Sequence, residues 1–221
     1  MRDTIRSSWE FVEYVFEISG VTRAFTHQLV RTRSGSYAQE SQRTVDVRDA
    51  KVTQPDSVRD SGLTVWGAAV AGMLEAYSEM MDAGIPAQDA RGILPTNVNT
   101  SIIAKFSLRT LSEMAKVRLC TRTQGEYQDV FRRMRELVIA EHPWVAEHRF
   151  IEVACVADAR CAFPLYGAKI IEREGQVPIR QCRFYRSWMH VDPVTRKEHR
   201  EDFWASEKQV AVPVARGGKT M

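Results

Sequence analysis

Charge imbalance, paired cysteines and long apolar runs are all scarce in this 221-residue chain. Lysine and arginine number 31 against 28 acids, a formal net charge of +3. That surplus is too small for a general nucleic-acid binder, which carries a strongly basic face. Cys120, Cys155, Cys161 and Cys182 include no CxxC pair. Their spacing departs from the common zinc-ligand patterns and predicts free thiols in a reducing compartment, with no metal. No apolar run approaches a membrane span, and the opening MRDTIRSSWEF lacks a signal-peptide core. A cytoplasmic protein with no membrane and no nucleic-acid partner is therefore expected. Repeats and low-complexity linkers are also missing, so one domain is expected over 1–204, with a flexible tail over 205–221. The 44% hydrophobic content is ample for one core.

What is present reads as an α+β chain, helix-rich, with a small β-sheet. Glu10 to Ile18 mixes β-branched and aromatic residues and predicts a strand. Val21 to Val30 has helical spacing, and Gly35 permits a tight turn before an irregular, then extended, segment. A long helix is expected from Ser61, as cap, to Gly84, with Val65, Ala69, Met73, Tyr77 and Met80 on one face. Pro86 suits the first turn of a short helix that ends before Pro95. A β-rich stretch leads to Ser107, a good cap for a helix with Leu108, Leu111, Met114, Ala115 and Leu119 as its apolar stripe. A further helix is expected from Thr123 to Glu141, with Val130, Phe131, Met134 and Val138 inward and Arg132, Arg133 and Arg135 on its wet face. A strand is expected after Phe150.

One segment stands apart. HQLVRTRSGSYAQESQR, His27 to Arg43, gathers three arginines and three serines around a single acid, Glu40. Arginine offers five donors in a rigid fork and keeps its charge at neutral pH, which suits phosphates and planar carbonyl systems. Arg31, Arg33 and Arg43, with Gln28, Gln39 and Ser41, could hold a phosphate and the amide edge of a heterocycle together.

Three stretches in order carry a family resemblance. RTRSGSYAQES places Arg31-Thr32-Arg33, seven residues, then Ser41. It resembles the Arg-His-Arg, seven residues, Ser signature of the flavin-dependent thymidylate synthases. ARGILPTNVNT, from Ala90, resembles that family's Ala-Arg-x-x-Leu-Pro-x-Asn segment. SLRTLSEMAKVRLCTRTQGEY, from Ser107, resembles its Asn-Leu-Arg helix and the arginine that follows.

The resemblance implies FAD as cofactor, with NADPH and 5,10-methylenetetrahydrofolate as co-substrates, and methylation at carbon 5 of the uracil of a uridine monophosphate, UMP or dUMP. It implies nucleotide contacts at Gln28, Arg31, Gln39, Ser41, Arg43, Arg91 and Arg118, with Arg118 catalytic against the pyrimidine ring. It implies flavin contacts at Arg31, Thr32, Arg33, Gln39, Ser107, Arg109 and Glu113. It further implies a homotetramer with shared active sites. No nucleophilic cysteine is needed in this family, so Cys120 reads as packing, Ser41 as a phosphate ligand and His27 as a packing or hydrogen-bonding residue.

The chain also departs from the pattern. Thr32 replaces the central histidine, Thr44 a common tyrosine, and Ser107 and Glu113 replace flavin-contacting asparagines; the strands that precede SSWEFVEYVFEI in the family are largely missing. These departures point to an atypical member, such as a UMP methylase of nucleoside-antibiotic biosynthesis. Alternatives are a dUMP hydroxymethylase and a non-catalytic paralogue that binds nucleotide and flavin.

Overall fold

The computed structural model describes residues 6–120 and 123–157. The expectations for Cys161, Cys182 and the tail at 205–221 lie outside the described residues. The fold is α+β, with helices and a three-stranded sheet of order β1-β3-β2. By contacts the chain divides into two compact units, Val15–Phe106 and Met1–Tyr14 with Ser107–Met221.

In the Val15–Phe106 unit, β1 (Glu13–Thr22) runs into α1 (Arg23–Leu29). Thr22 ends the strand and caps the helix, its hydroxyl accepting from the Phe25 amide at 3.0 Å. After the arginine turn comes β2 (Ser36–Gln39), antiparallel to β3 (Asn99–Ser107) with Tyr37 opposite Ala104 and Gln39 opposite Ile102. Strand and irregular segment are thus reversed from the sequence expectation, because β2 pairs with a partner far along the chain. Alternation along β3 buries Thr100, Ile102, Ala104 and Phe106, which join Phe16, Ile18, Val21, Phe25 and Leu29 in a core.

Helix α2 (Asp56–Asp60) uses Ser61 at its C-terminal end, so Ser61 is not the cap of the long helix. That helix, α3 (Val65–Asp82), starts later and buries only Tyr77. Tyr77 packs with Val47 and Ala90 beneath Met80, Met81, Ile93 and Leu94. Gly84, at φ +77°, follows α3. Pro86 precedes α4 (Ala87–Ala90), and a 3-10 turn over Arg91–Ile93 stops at Leu94, before Pro95.

In the second unit a 3-10 helix, Arg6–Phe11, lies against α5 (Leu108–Arg118). Helix α6 (Gly125–Glu141) and the short helices α7 (Trp144–Glu147) and α8 (Ala154–Ala157) complete the described part. Leu108, Leu111, Met114 and Ala115 are buried as the stripe predicts, while Leu119 is only partly so. Phe131, Met134 and Val138 form the inner face of α6. Arg135 is not on the wet face: it donates to the Ile151 carbonyl at 2.8 Å and pairs with Glu152. No strand follows Phe150 among the described residues.

Candidate functional site

The turn that carries Arg31, Thr32 and Arg33 is built from the inside. The Gly35 amide donates to the Thr32 carbonyl at 3.0 Å, closing the turn. The Tyr37 hydroxyl lies 2.7 Å from the Thr32 carbonyl oxygen and 3.0 Å from that of Leu29, so one proton serves both. Tyr37 meets Phe106 edge to face at 5.7 Å between centroids. Gly35 is needed here by space and not by backbone angle: a Cβ would sit 2.5 Å from Phe106 Cε1 and 2.6 Å from the Tyr37 hydroxyl. The guanidiniums of Arg31 and Arg33 face outward from this clamp. Neither makes a hydrogen bond or ion pair with a described residue.

Downstream, the Gln39 amide donates to Thr26 Oγ1 at 2.8 Å, which fixes β2 to α1. Gln28 reaches its own helix at the Ala24 carbonyl, 3.5 Å away. Ser41 Oγ accepts from the Arg43 amide at 3.2 Å, and Arg43 Nη2 donates to Gln88 Oε1 at 3.3 Å. Arg91 Nε donates to the Gln88 carbonyl at 3.1 Å. The structure thus links Ser41, Arg43 and Arg91 around Gln88, although 45 residues separate Arg43 from Gln88. His27 is exposed in the last turn of α1.

The second unit holds the other four residues. Ser107 caps α5, accepting from the Thr110 amide at 3.2 Å, and its hydroxyl lies 2.8 Å from Glu10 Oε2. Arg109 Nη1 pairs with Glu10 Oε1 at 3.2 Å, and Glu113 pairs with Lys116 at 3.1 Å on the exposed side. The Arg109–Glu10 pair is exposed on both sides and contributes little to stability. Arg118, half-buried at the end of α5, lies over the Tyr127 ring at 4.3 Å. Buried Gln128 donates to the Leu119 and Cys120 carbonyls at 3.1 and 2.8 Å. It thereby fixes the chain just past Arg118. Arg109 and Arg118 stand at opposite ends of α5, about 180° apart by helical period.

Sequence reasoning missed Tyr37, Gln88 and Glu10, since each acts on a residue made adjacent only by folding. It also passed over Arg23, the first residue of α1. Among the described residues no group of His, Cys, Asp and Glu could hold a metal, and Cys120 is a free thiol. No described helix is long and apolar enough to cross a membrane.

Known proteins are similar to much of this chain. Residues 1–144 match the family described as "Thymidylate synthase complementing protein". The chain is 33% identical over 162 residues to the flavin-dependent thymidylate synthase of Sulfurisphaera tokodaii, covering 71% of this chain and 62% of the relative. It is 38% identical over 133 residues to that of Pyrococcus abyssi, covering 58% and 54%, and 35% identical over 144 residues to that of Geobacter sulfurreducens, covering 63% and 62%. The chain spans 54–62% of the length of these curated relatives. All three motif stretches lie within the matched residues. This chain therefore belongs to the thymidylate synthase complementing protein family, whose relatives are flavin-dependent thymidylate synthases.

Proposed function

We propose that this protein methylates carbon 5 of the uracil in a uridine 5'-monophosphate, using methylenetetrahydrofolate as the one-carbon donor and NADPH as reductant. Carbon 5 is a weak nucleophile until negative charge on the ring is stabilised. Arg118 suits that role as a fixed, half-buried cation whose donors make no hydrogen bond with a described residue. Its stacking on buried Tyr127 and the Gln128 ties beside it hold the guanidinium in place before substrate arrives. Ser41, Arg43 and Arg91 bind the phosphate, and Gln28 and Gln39 read the amide edge of the base. Arg31 contacts both nucleotide and cofactor.

FAD fits the donor set on Arg31 and Arg33, since two exposed guanidiniums that pair with no described residue, on one braced turn, match a diphosphate. The family resemblance implies that Thr32, Gln39, Ser107, Arg109 and Glu113 would contribute further contacts; Arg109 keeps further donors beside the one that meets Glu10. When bound, FAD supplies hydride to turn the transferred carbon into a methyl group; the protein supplies orientation and charge.

The acceptor is UMP or dUMP, and the departures at Thr32, Thr44, Ser107 and Glu113 support the specialised one, UMP. The assembly is a homotetramer with shared sites, in the cytoplasm. Gly62 to Leu74 carries no charge, and Leu63, Val65 and Met73 are exposed at 62%, 67% and 37%. Such a patch, running from Leu63 in the preceding loop onto a helix that buries one residue, supports coverage by a second copy.

The arginine turn, whose guanidiniums pair with no described residue, is the observation that carries this reading. Purified protein should retain a flavin whose absorbance NADPH bleaches; protein that takes up no FAD on titration would remove the flavin from the account. A binding paralogue without turnover is the second reading, favoured by Thr32 and by the Glu10–Arg109 and Glu113–Lys116 pairs.

A further inference from the structure

Arg23 has features that a surface arginine lacks. Its amide donates to the Val98 carbonyl at 3.1 Å, and the next amide donates to the Thr96 carbonyl at 2.9 Å, so its backbone is pinned to the sheet end. Its Nη2 donates to the Glu40 carbonyl at 2.8 Å, one residue before Ser41. Its Nε is buried and has no hydrogen-bond partner among the described residues. An N–H left so costs free energy unless something supplies an acceptor. A continuous chain of contacts then runs from Arg23 through Glu40 and Ser41 to Arg43, and from Arg43 across Gln88 to Arg91.

Charge makes the arrangement odd as a purely structural device. Gln88 accepts from both Arg43 and Arg91, yet it is neutral and cancels neither. No ion pair joins Arg23, Arg43 or Arg91 to an acid among the described residues; the contact at Glu40 is to its backbone oxygen. Burial lowers the Arg23 pKa from its ordinary value and the Arg91 charge lowers it further, against a weaker opposing pull from Glu40. Like charges gathered without acids are stabilised when an anion joins them.

We propose that Arg23 is a phosphate-binding residue, joining Arg43 and Arg91 on one phosphoryl group, with Gln88 as the neutral strut that holds the latter two together. This rests on the nucleotide reading above and adds two residues that none of the three motif stretches assigns a role. A tetrahedral dianion offers acceptors to several forks at once, and the buried Nε gains the partner that the described residues withhold.

Calorimetric titration of the full-length protein tests this with UMP and dUMP against uridine and deoxyuridine. Arg23→Ala should weaken binding of the nucleotide roughly tenfold or more, as loss of a charge-assisted hydrogen bond implies, and leave nucleoside binding unchanged. A residue that only braces the Glu40 carbonyl would weaken both alike, and that result overturns the proposal. Gln88→Glu puts a carboxylate where the strut is neutral and should also lower nucleotide affinity alone. Should Arg23→Ala fail to fold, Gln88→Glu decides, and normal nucleotide affinity in that variant sinks the proposal. If the wild-type protein binds neither nucleotide, the uridine reading falls by itself. Inorganic pyrophosphate then probes the cluster: weaker binding by Arg23→Ala supports it, and equal binding overturns it.

Discussion

Replacing Gly35 with alanine puts one methyl group into the tightest place in the arginine turn. The new Cβ would lie 2.5 and 2.8 Å from two carbons of the Phe106 ring and 2.6 Å from the Tyr37 hydroxyl. Carbon atoms rest about 3.5–4.0 Å apart, so the ring or the turn must move by about 1 Å. Phe106 is buried, meets Tyr37 edge-on and lies near Phe16, so it has little room to yield. Overpacking of this kind costs about 1–3 kcal/mol, and disturbing the Tyr37 hydrogen bond adds about 1 kcal/mol. The gain from a stiffer unfolded chain is smaller, about 0.4–1 kcal/mol. The sum is a loss of about 1–4 kcal/mol, or roughly 2–16 °C in Tm for a chain of this size. Scanning calorimetry reads it directly. Because the turn carries Arg31 and Arg33, FAD affinity should fall as well. Phe106→Leu should return part of the loss in the double variant, since the two changes share one space. Gly35→Ala with wild-type Tm, or strictly additive effects in the double variant, would refute the clamp.

Other outcomes follow from other parts of the molecule. Arg118→Ala should abolish methylation while the oligomer mass by light scattering stays unchanged; normal turnover would remove Arg118 from the chemistry. Ala69→Arg on α3 should lower the oligomer mass, and an unchanged mass would mean that this face is not the contact. The Arg48 hydrogen bonds hold the exposed Asp46 carboxyl below its ordinary pKa. That contribution is present above the unfolded value and is lost as pH falls through the depressed folded one. Arg48→Ala should therefore flatten the acid limb of Tm against pH, and an unaltered limb would show that Asp46 is not coupled to folding.

Legibility differed by element for physical reasons. Ser107 and the α5 stripe were readable because a cap and a 3.6-residue period are local. Helix α1 and the stop before Pro95 were equally local. Strand β2 was not, since Ser36–Gln39 gains its hydrogen bonds from residues 102–105. Ser61 looked like a cap but serves the end of α2, and the expected inner face of α3 buries Tyr77 alone. Arg135 has the spacing of a wet-face residue, but the chain returns at Ile151 and Glu152 to meet it. The candidate site divides the same way. Arginine identities and motif spacing stood in the sequence, while Tyr37 under the turn and Gln88 between two arginines needed the fold to appear.

The most direct measurement supplies the protein with FAD, NADPH and methylenetetrahydrofolate and an equal mixture of UMP and dUMP, then identifies the nucleotides by mass spectrometry. A nucleotide methylated at carbon 5, with UMP the main acceptor, is the expected result. Both nucleotides recovered unchanged while bound flavin is reduced by NADPH would contradict the account.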